Sequence, residues 1–335
     1  MKSVVLRTLV ITALIFALAL GLQAILKDRC DAVAPEDARA LVPVDTQRLA
    51  ELDGHFNFLI ASDLGRNGYY DQKPVAEMMG EVAGLVDPEF IAMAGDVHHF
   101  QGVQSVQDPL WLTNFEWIYK HPELMISWYP VLGNHEYEGT SQAVLDYSTV
   151  SRRWEMSDRY YTVTESVSDG VDVQLLMIDT PPLIDKYRDN PDKHPDAGKQ
   201  DMDRQLAWID DTLGASDAKW KLVLGHHPVY AGTTKAESER ADLQERLRPL
   251  LDKHGVDAMV SGHIHNFQHI RVPGSEVDYF VNSSASQSRV VVPFEGALFA
   301  NPDPGFSLCT VKETELIITF VDKNGKILYQ FSRVK

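Results

Sequence analysis

Cysteine is nearly absent. The 335 residues contain only Cys30 and Cys309, so no disulfide framework can be read from spacing; the two either pair in an oxidising compartment, joining the amino-terminal segment to a late strand, or stay as separate thiols. Positive charge is also scarce. Lys and Arg total 31 against 48 Asp and Glu, a formal net charge of −17. No stretch carries the local basic excess that a phosphate backbone demands, which argues against nucleic acid as a partner. A small anionic substrate stays open, provided cations sit in the site. There is no Gly-x-Ser-x-Gly elbow and no Walker-type phosphate loop, which disfavours serine hydrolases and nucleoside-triphosphate switches. Internal repeats and low-complexity tracts are missing too, and 44% hydrophobic with 24% charged residues is ordinary for a chain with a sizeable core.

The first segment, 1–26, reads as targeting. Lys2 and Arg7 precede an uncharged run from Thr8 to Leu26, with Ala17-x-Ala19 and Ala19-x-Gly21 as small-residue cleavage sites. It is either a cleaved signal peptide or an uncleaved signal anchor, since the run is long enough to span a bilayer. Both put the body outside the cytoplasm: periplasmic, secreted, or anchored facing outward, with that anchor as the only membrane contact. Residues 27–53 are polar and proline-punctuated and read as a linker with one helical turn. A catalytic domain is expected over 54–335.

Within that domain strand-like apolar runs alternate with helical segments at first and give way to antiparallel strands later. The expected helices cover 74–86, 201–213 and 241–254, with weaker ones at 109–120 and 142–154. A hairpin is expected over 159–179, and 183–199 reads as a solvated loop. This predicts an α/β fold with two mixed β-sheets and flanking helices.

Five of the apolar runs end in metal-ligand residue types: Asp63 after HFNFLIAS, Asp96 after FIAMAG, Asn134 after WYPVLG, His226 after WKLVLG, and His263 with His265 after AMVSG. The ends of neighbouring strands lie along one sheet edge, so these side chains can converge. Carboxylate, amide oxygen and imidazole together suit two closely spaced ions of the iron, zinc or manganese type, with one carboxylate bridging. Such a pair can orient a phosphate, generate a hydroxide nucleophile and stabilise the leaving oxygen.

The blocks Asp63-Leu-Gly65, Gly95-Asp96, Gly133-Asn134-His135-Glu136, Gly225-His226-His227-Pro228 and Gly262-His263-Ile-His265 resemble the five signature blocks of the calcineurin-like metallophosphoesterases. The Asp-x-Gly opening is similar to that of the purple acid phosphatases, above all the small tartrate-resistant type, and the likeness runs from about Phe56 to the carboxyl terminus. The resemblance implies two sheets packed as a sandwich with helices outside. It implies that Asp96 bridges two metal ions, with Asp63 and His265 completing one site and Asn134, His226 and His263 the other. His135 would contact the phosphate and protonate the leaving group. The implied activity is hydrolysis of a small phosphorylated substrate, a phosphomonoester, by attack of a metal-bound hydroxide. A phosphodiester or nucleotide substrate, or a non-catalytic metal-binding scaffold, are the alternatives.

Two departures from that pattern matter. Purple acid phosphatases carry an iron-binding tyrosine three residues after the second-block aspartate; here Gly95-Asp96-Val97-His98-His99 puts His99 there. The expectation is a histidine-ligated, colourless centre, with His98 as the other choice. The family also places a histidine a few residues beyond the Gly-His-x-Pro block, where this chain has Lys235. That lysine reads as surface unless it binds phosphate. His227 is read as either pocket-lining or a structural hydrogen-bonder, Glu136 as a residue orienting backbone, His55, His121, His194, His254 and His269 as surface or structural, and the six tryptophans as packing residues. Oligomeric state is not legible.

Overall fold

The computed structural model describes residues 43–282 and 285–335. The expected targeting segment and Cys30 lie outside the described residues. Part of the expected linker is folded: helix α1 (Pro43–Ala50) ends next to Leu49 and Leu52, both in the core.

Strands β1 (Phe56–Ala61), β2 (Phe90–Met93) and β3 (Ser127–Pro130) run parallel, and helix α2 (Gln72–Val86) links the first two. Three late strands, β11 (Gly305–Val311), β12 (Glu315–Asp322) and β13 (Ile327–Val334), add antiparallel on the far side of β1. The six-stranded sheet therefore has the order β13-β12-β11-β1-β2-β3. Its inner strands are buried on both faces, which is why β1 and β2 read as unbroken apolar runs rather than alternating ones. Edge strand β13 alternates and exposes one face.

The second sheet has seven strands. Hairpin β4 (Tyr161–Ser168) and β5 (Val171–Met177) leads into parallel β6 (Trp220–Leu224), β7 (Ala258–Ser261) and β9 (Asp278–Asn282). Antiparallel β8 (Phe267–Ile270) and β10 (Ala297–Asn301) close the far edge, giving β10-β8-β9-β7-β6-β5-β4. These two short strands were not legible in the sequence, because β8 follows the His-x-His turn without any spacer and β10 is largely exposed.

The sheets meet through aromatic rings. Phe320 of β12 stacks on Phe267 of β8 at 4.6 Å, and Phe280 and Phe299 approach it at 6.1 and 5.9 Å. Buried polar clamps cross the same interface: the Asn282 amide donates to the Ile60 carbonyl at 2.8 Å, and its oxygen accepts from Ser307.

Helix α2 buries Val75, Met79, Val82 and Val86, a one-face stripe, and stops where Asp87 turns left-handed at φ 45° and returns its N–H to the Ala83 carbonyl. Short helices α3 (Ser141–Asp146) and α4 (Asp185–Arg188) follow in the connections. Helix α5 (Met202–Gly214) is capped by Asp201, which accepts from the Arg204 amide at 3.0 Å.

The single helix expected over 241–254 is in fact two, α6 (Glu237–Arg246) and α7 (Arg248–Lys253). Pro249 cannot continue the hydrogen-bond ladder, so the chain breaks at Leu247 and restarts with proline in the first turn. The 183–199 segment is not simply a solvated loop either: Leu183, Ile184, Tyr187, His194 and Ala197 are buried beneath its charges. Of the tryptophans, Trp111, Trp128, Trp154 and Trp220 are fully buried, whereas Trp117 is 61% exposed.

Phe320→Ala removes the ring on which both sheets converge, and should cost about 3–5 kcal/mol of unfolding free energy. Denaturant titration checks this. A loss under about 1 kcal/mol would mean that the inter-sheet contact is not where the stability resides.

Candidate metal centre

The five parallel strands β1, β2, β3, β6 and β7 release the chain at their carboxyl ends, and the residues that follow are Asp63, Asp96, Asn134, His226 and the His263–His265 pair. Both sheets thus deliver donors to one edge. Ligand atoms of Asp63, His99 and His265 lie within 4.8 Å of one another, as do those of Asp63, Asp96 and His226, of Asp96, His99 and His135, and of His226, His227 and His263. His98 is in none of these groups: its ring packs edge-on against Trp111 at 4.3 Å and meets the Asn114 amide at 3.2 Å.

Each carboxylate has one oxygen fixed and one turned inward. Asp63 Oδ2 accepts from the Ser62 hydroxyl (2.7 Å) and the His263 amide (2.9 Å), while Oδ1 lies 3.2 Å from His265 Nε2 and 3.7 Å from His99 Nε2. Asp96 Oδ1 accepts from the His135 amide (3.0 Å), while Oδ2 lies 3.0, 3.6 and 4.0 Å from the Nε2 atoms of His226, His99 and His135.

The imidazoles are fixed from behind. Nδ1 of His99 donates to the Gly65 carbonyl at 3.0 Å, that of His226 to Ala94 at 2.8 Å and that of His265 to Gln287 at 2.6 Å. A carbonyl has no proton to give, so Nδ1 carries a hydrogen and Nε2 is the nitrogen turned to the carboxylates. A lone pair aimed at a carboxylate oxygen is unfavourable unless a cation or a proton lies between them. This is how a protein orients metal-ligating histidines. The fit to metal ions is supported by buried atoms without an acceptable hydrogen bond: Asp63 Oδ1, His99 Nε2 and His226 Nε2 all face this region, and Asn134 Oδ1 is likewise buried without a partner among the described residues.

Electrostatics follow from that packing. Burial opposes charge on Asp63 and Asp96, yet His265 beside the first and His226 beside the second hold both carboxyls well below the usual range. Burial likewise opposes charge on His226, but Asp96 outweighs it and raises the imidazole to about 9. Burial dominates at His99 and lowers it to about 4, so its ring is neutral and its nitrogen available.

The backbone is strained at the same places. Among the described residues eight non-glycines have left-handed φ, and four of them are Asp63, Asp96, His263 and His265, at 57°, 53°, 74° and 64°. Such positions cost about 1–3 kcal/mol each and persist where function requires them. Glycines permit the close approach: a Cβ on Gly262 would meet Ser62 Oγ at 2.0 Å, and one on Gly65 would meet the Val97 carbonyl at 1.8 Å. The His99 loop therefore fits only because residue 65 has no side chain.

Surrounding groups hold these loops. Glu136, fully buried, accepts the amides of Asp96, His98 and Gly133 at 2.9, 3.0 and 2.7 Å, which is the backbone-orienting role expected of it. Burial, with Asp96 nearby, raises its carboxyl to about 7. His135 is partly exposed at the rim, with Nδ1 3.4 Å from Glu138 Oε1. His227 is a strut rather than a pocket wall: its nitrogens meet the Thr180 hydroxyl and the Tyr187 hydroxyl, each at 2.9 Å.

Three contributors escaped the sequence reading. Glu239 of α6 lies in a stretch that looks like an exposed charged helix, yet it is buried, 3.1 Å from His263 Nε2 and 2.9 Å from Tyr187 Oη. Tyr187 sits in the segment read as solvated. Lys235, read as surface, instead brings Nζ to 3.1 and 3.2 Å from the His263 nitrogens, and burial lowers its amine to about 8. No local pattern marks any of them, because each acts through a contact between distant segments.

Residues 56–267 match the calcineurin-like phosphoesterase family. The chain belongs to that family. Among curated relatives, purple acid phosphatase 3 of Arabidopsis thaliana is 32% identical over 296 residues, covering 85% of this chain and 79% of the relative. Human tartrate-resistant acid phosphatase type 5 is 27% identical over 268 residues, covering 76% and 82%. Among solved structures, GAP50, described as the anchor in the inner membrane complex of Plasmodium, superposes with a TM-score of 0.71 at 20% identity, covering 84% of this chain and 89% of that one. The yellow lupin purple acid phosphatase PPD1 gives 0.60 at 14% identity, covering 84% and 54%. At those identities the structural likenesses speak for the fold, which is the two-sheet sandwich expected from the sequence.

Asp179, just after β5, is bonded by the Tyr137 hydroxyl beside the 134–136 loop. Burial raises its carboxyl to about 7, against the pull of Arg159 and Tyr137. The folded state therefore holds this proton more tightly than the unfolded chain. Its stabilisation is complete below about pH 4 and declines as pH climbs towards the folded value. Asp179→Asn should flatten the fall in melting temperature of the metal-free protein across that window, measured by scanning calorimetry. An unchanged slope would assign the pH dependence elsewhere.

Proposed function

We propose that the centre hydrolyses small phosphomonoesters using two metal ions held by Asp63, Asp96, His99, Asn134, His226, His263 and His265. That the chain is a metal-dependent phosphoric ester hydrolase follows from its family and its purple acid phosphatase relatives; the ester class, the ligand set and export from the cytoplasm are our reading. The observation that carries the ligand set is the pinning of three imidazoles at Nδ1, which turns their free nitrogens onto two buried carboxylates.

When bound, two ions of the iron, zinc or manganese type supply the Lewis acidity that activates water and offsets phosphoryl charge. The chain's own residues do the rest. Asp96, whose Oδ2 lies 3.0 and 3.6 Å from the Nε2 atoms of His226 and His99, would be shared between the two ions. Asp63, His99 and His265 supply one set of donors, and Asn134, His226 and His263 the other. His135 stands at the open side with a ring whose charge is favoured: burial opposes the proton, but Asp96 and Glu138 raise its affinity for it. It is the group placed to protonate the leaving oxygen. His99 supplies nitrogen where the purple enzymes have a tyrosine, so no tyrosinate charge-transfer colour is expected.

A non-catalytic scaffold is the competing reading, and the likeness in fold to an anchor protein makes it worth testing. Metal analysis of the purified protein should find about two ions per chain, retained poorly by His99→Ala and Asn134→Ala. Turnover of a generic phosphomonoester should exceed that of a diester. His135→Ala should lower kcat by about 10²–10⁴-fold, most for substrates with poor leaving groups, with metal content unchanged. A metal-free, inactive wild type would favour the scaffold, and a visible charge-transfer band would remove His99 from the ligand set.

A further inference from the structure

Arg66 directly follows the Asp63-Leu64-Gly65 turn and is only 9% exposed. Among the described residues no carboxylate lies within 4.0 Å of the guanidinium, no hydrogen-bond acceptor pairs with it, and Nε is buried and unsatisfied. A largely buried cation with an unpartnered Nε is costly and calls for an explanation, of which a bound anion is one.

Two aromatic rings flank it. The guanidinium carbon sits 5.4 Å from the Phe100 ring centroid and 6.0 Å from that of Tyr70. Both aromatics are 59–60% exposed and both have left-handed backbones, φ 82° and 55°. For bulky side chains that conformation is an outlier, and here two such outliers flank one cation. Phe100 immediately follows His99, and both line an open cavity of about 470 Å³ with Gln101, Gly102, Gln104, Asp108 and Leu110. The fields of Asp63 and Asp96 reach Arg66, as they reach Lys235 across the site.

We infer that Arg66 is a specificity-determining residue that grips the non-bridging oxygens of the substrate phosphate, with Phe100 and Tyr70 clamping its plane, and so favours the doubly charged phosphomonoester over the singly charged diester. This rests on the phosphatase reading above. The planar fork suits two phosphate oxygens at once, and each charge removed from the phosphoryl group weakens the pairing.

The test compares wild type with Arg66→Ala and Arg66→Lys. Inorganic phosphate binding is followed by titration calorimetry, metal content by elemental analysis, and KM and kcat are measured for a monoester and a diester. A lost charge-assisted pair corresponds to a weakening of about 10–100-fold. Expected are phosphate binding weaker by that factor in Arg66→Ala, a parallel rise in monoester KM, diester KM nearly unmoved, and metal content retained. Arg66→Lys, which keeps charge but not the fork, should fall between, and serves alone if the alanine variant does not fold. Phosphate affinity within twofold of wild type in the folded variants overturns the proposal, as does an equal rise in both KM values. The two readings fail separately: a wild type that binds phosphate through Arg66 but turns nothing over sinks the catalytic reading only, whereas a wild type that hydrolyses monoesters while Arg66→Ala binds phosphate normally sinks this one only.

Discussion

Two buried carboxylates facing imidazole nitrogens that have given their protons to the backbone form the contact on which the site depends. Asp63 Oδ1 and Asp96 Oδ2 meet His265, His99 and His226 only through Nε2, because Nδ1 is committed to the carbonyls of Gln287, Gly65 and Ala94. Placed that way, the neutral tautomers repel the carboxylates, and a proton or a cation must intervene. At His226 a proton suffices, since Asp96 raises its affinity. At His99 burial prevents protonation. A metal ion lying between the carboxylates and the Nε2 atoms answers both cases, which is what the arrangement of donors suits.

The fold maintains that arrangement by spending backbone conformation on it. Left-handed φ at both aspartates and both histidines of the last block turns the chain sharply after β1, β2 and β7, and Glu136 ties two amides of the Asp96 turn to that of Gly133. The sheets behind them are stiff, with aromatic rings interlocked across the interface and Asn282 bonded between β1 and β11. Strain at the edge is tolerable because the strands that feed it cannot shift.

This division explains what could be read in the sequence. Strand runs ending in Asp63, Asp96, Asn134, His226 and His263 were legible because a parallel strand writes its own end as an apolar run broken by glycine. The two-sheet architecture followed from their order. The helix break at Leu247 was missed because four leucines at helical spacing outweighed Pro249, and β8 because it starts with no turn signal after His265. Glu239, Tyr187 and Lys235 were missed for a different reason. Each looks like solvated surface in its own neighbourhood, and only the folding of α6 and the 183–199 segment against the His263 turn makes it part of the site. Local pattern reports what a residue does to its own element, and these three act on another.

The same distinction resolves the conflict between a chain of net charge −17 and an anionic substrate. Exposed carboxylates more than a Debye length away, about 8 Å at physiological salt, are largely screened. Groups in a low-dielectric recess are not. Around this centre lie Arg66, with no carboxylate within 4.0 Å among the described residues, and Lys235, pressed against His263. Burial works to strip the proton from Lys235, while Asp63 and Asp96 favour keeping it. Global charge therefore governs solubility and long-range approach, whereas the field at the reacting atoms is set by the few buried charges around them. A sequence total cannot distinguish the two.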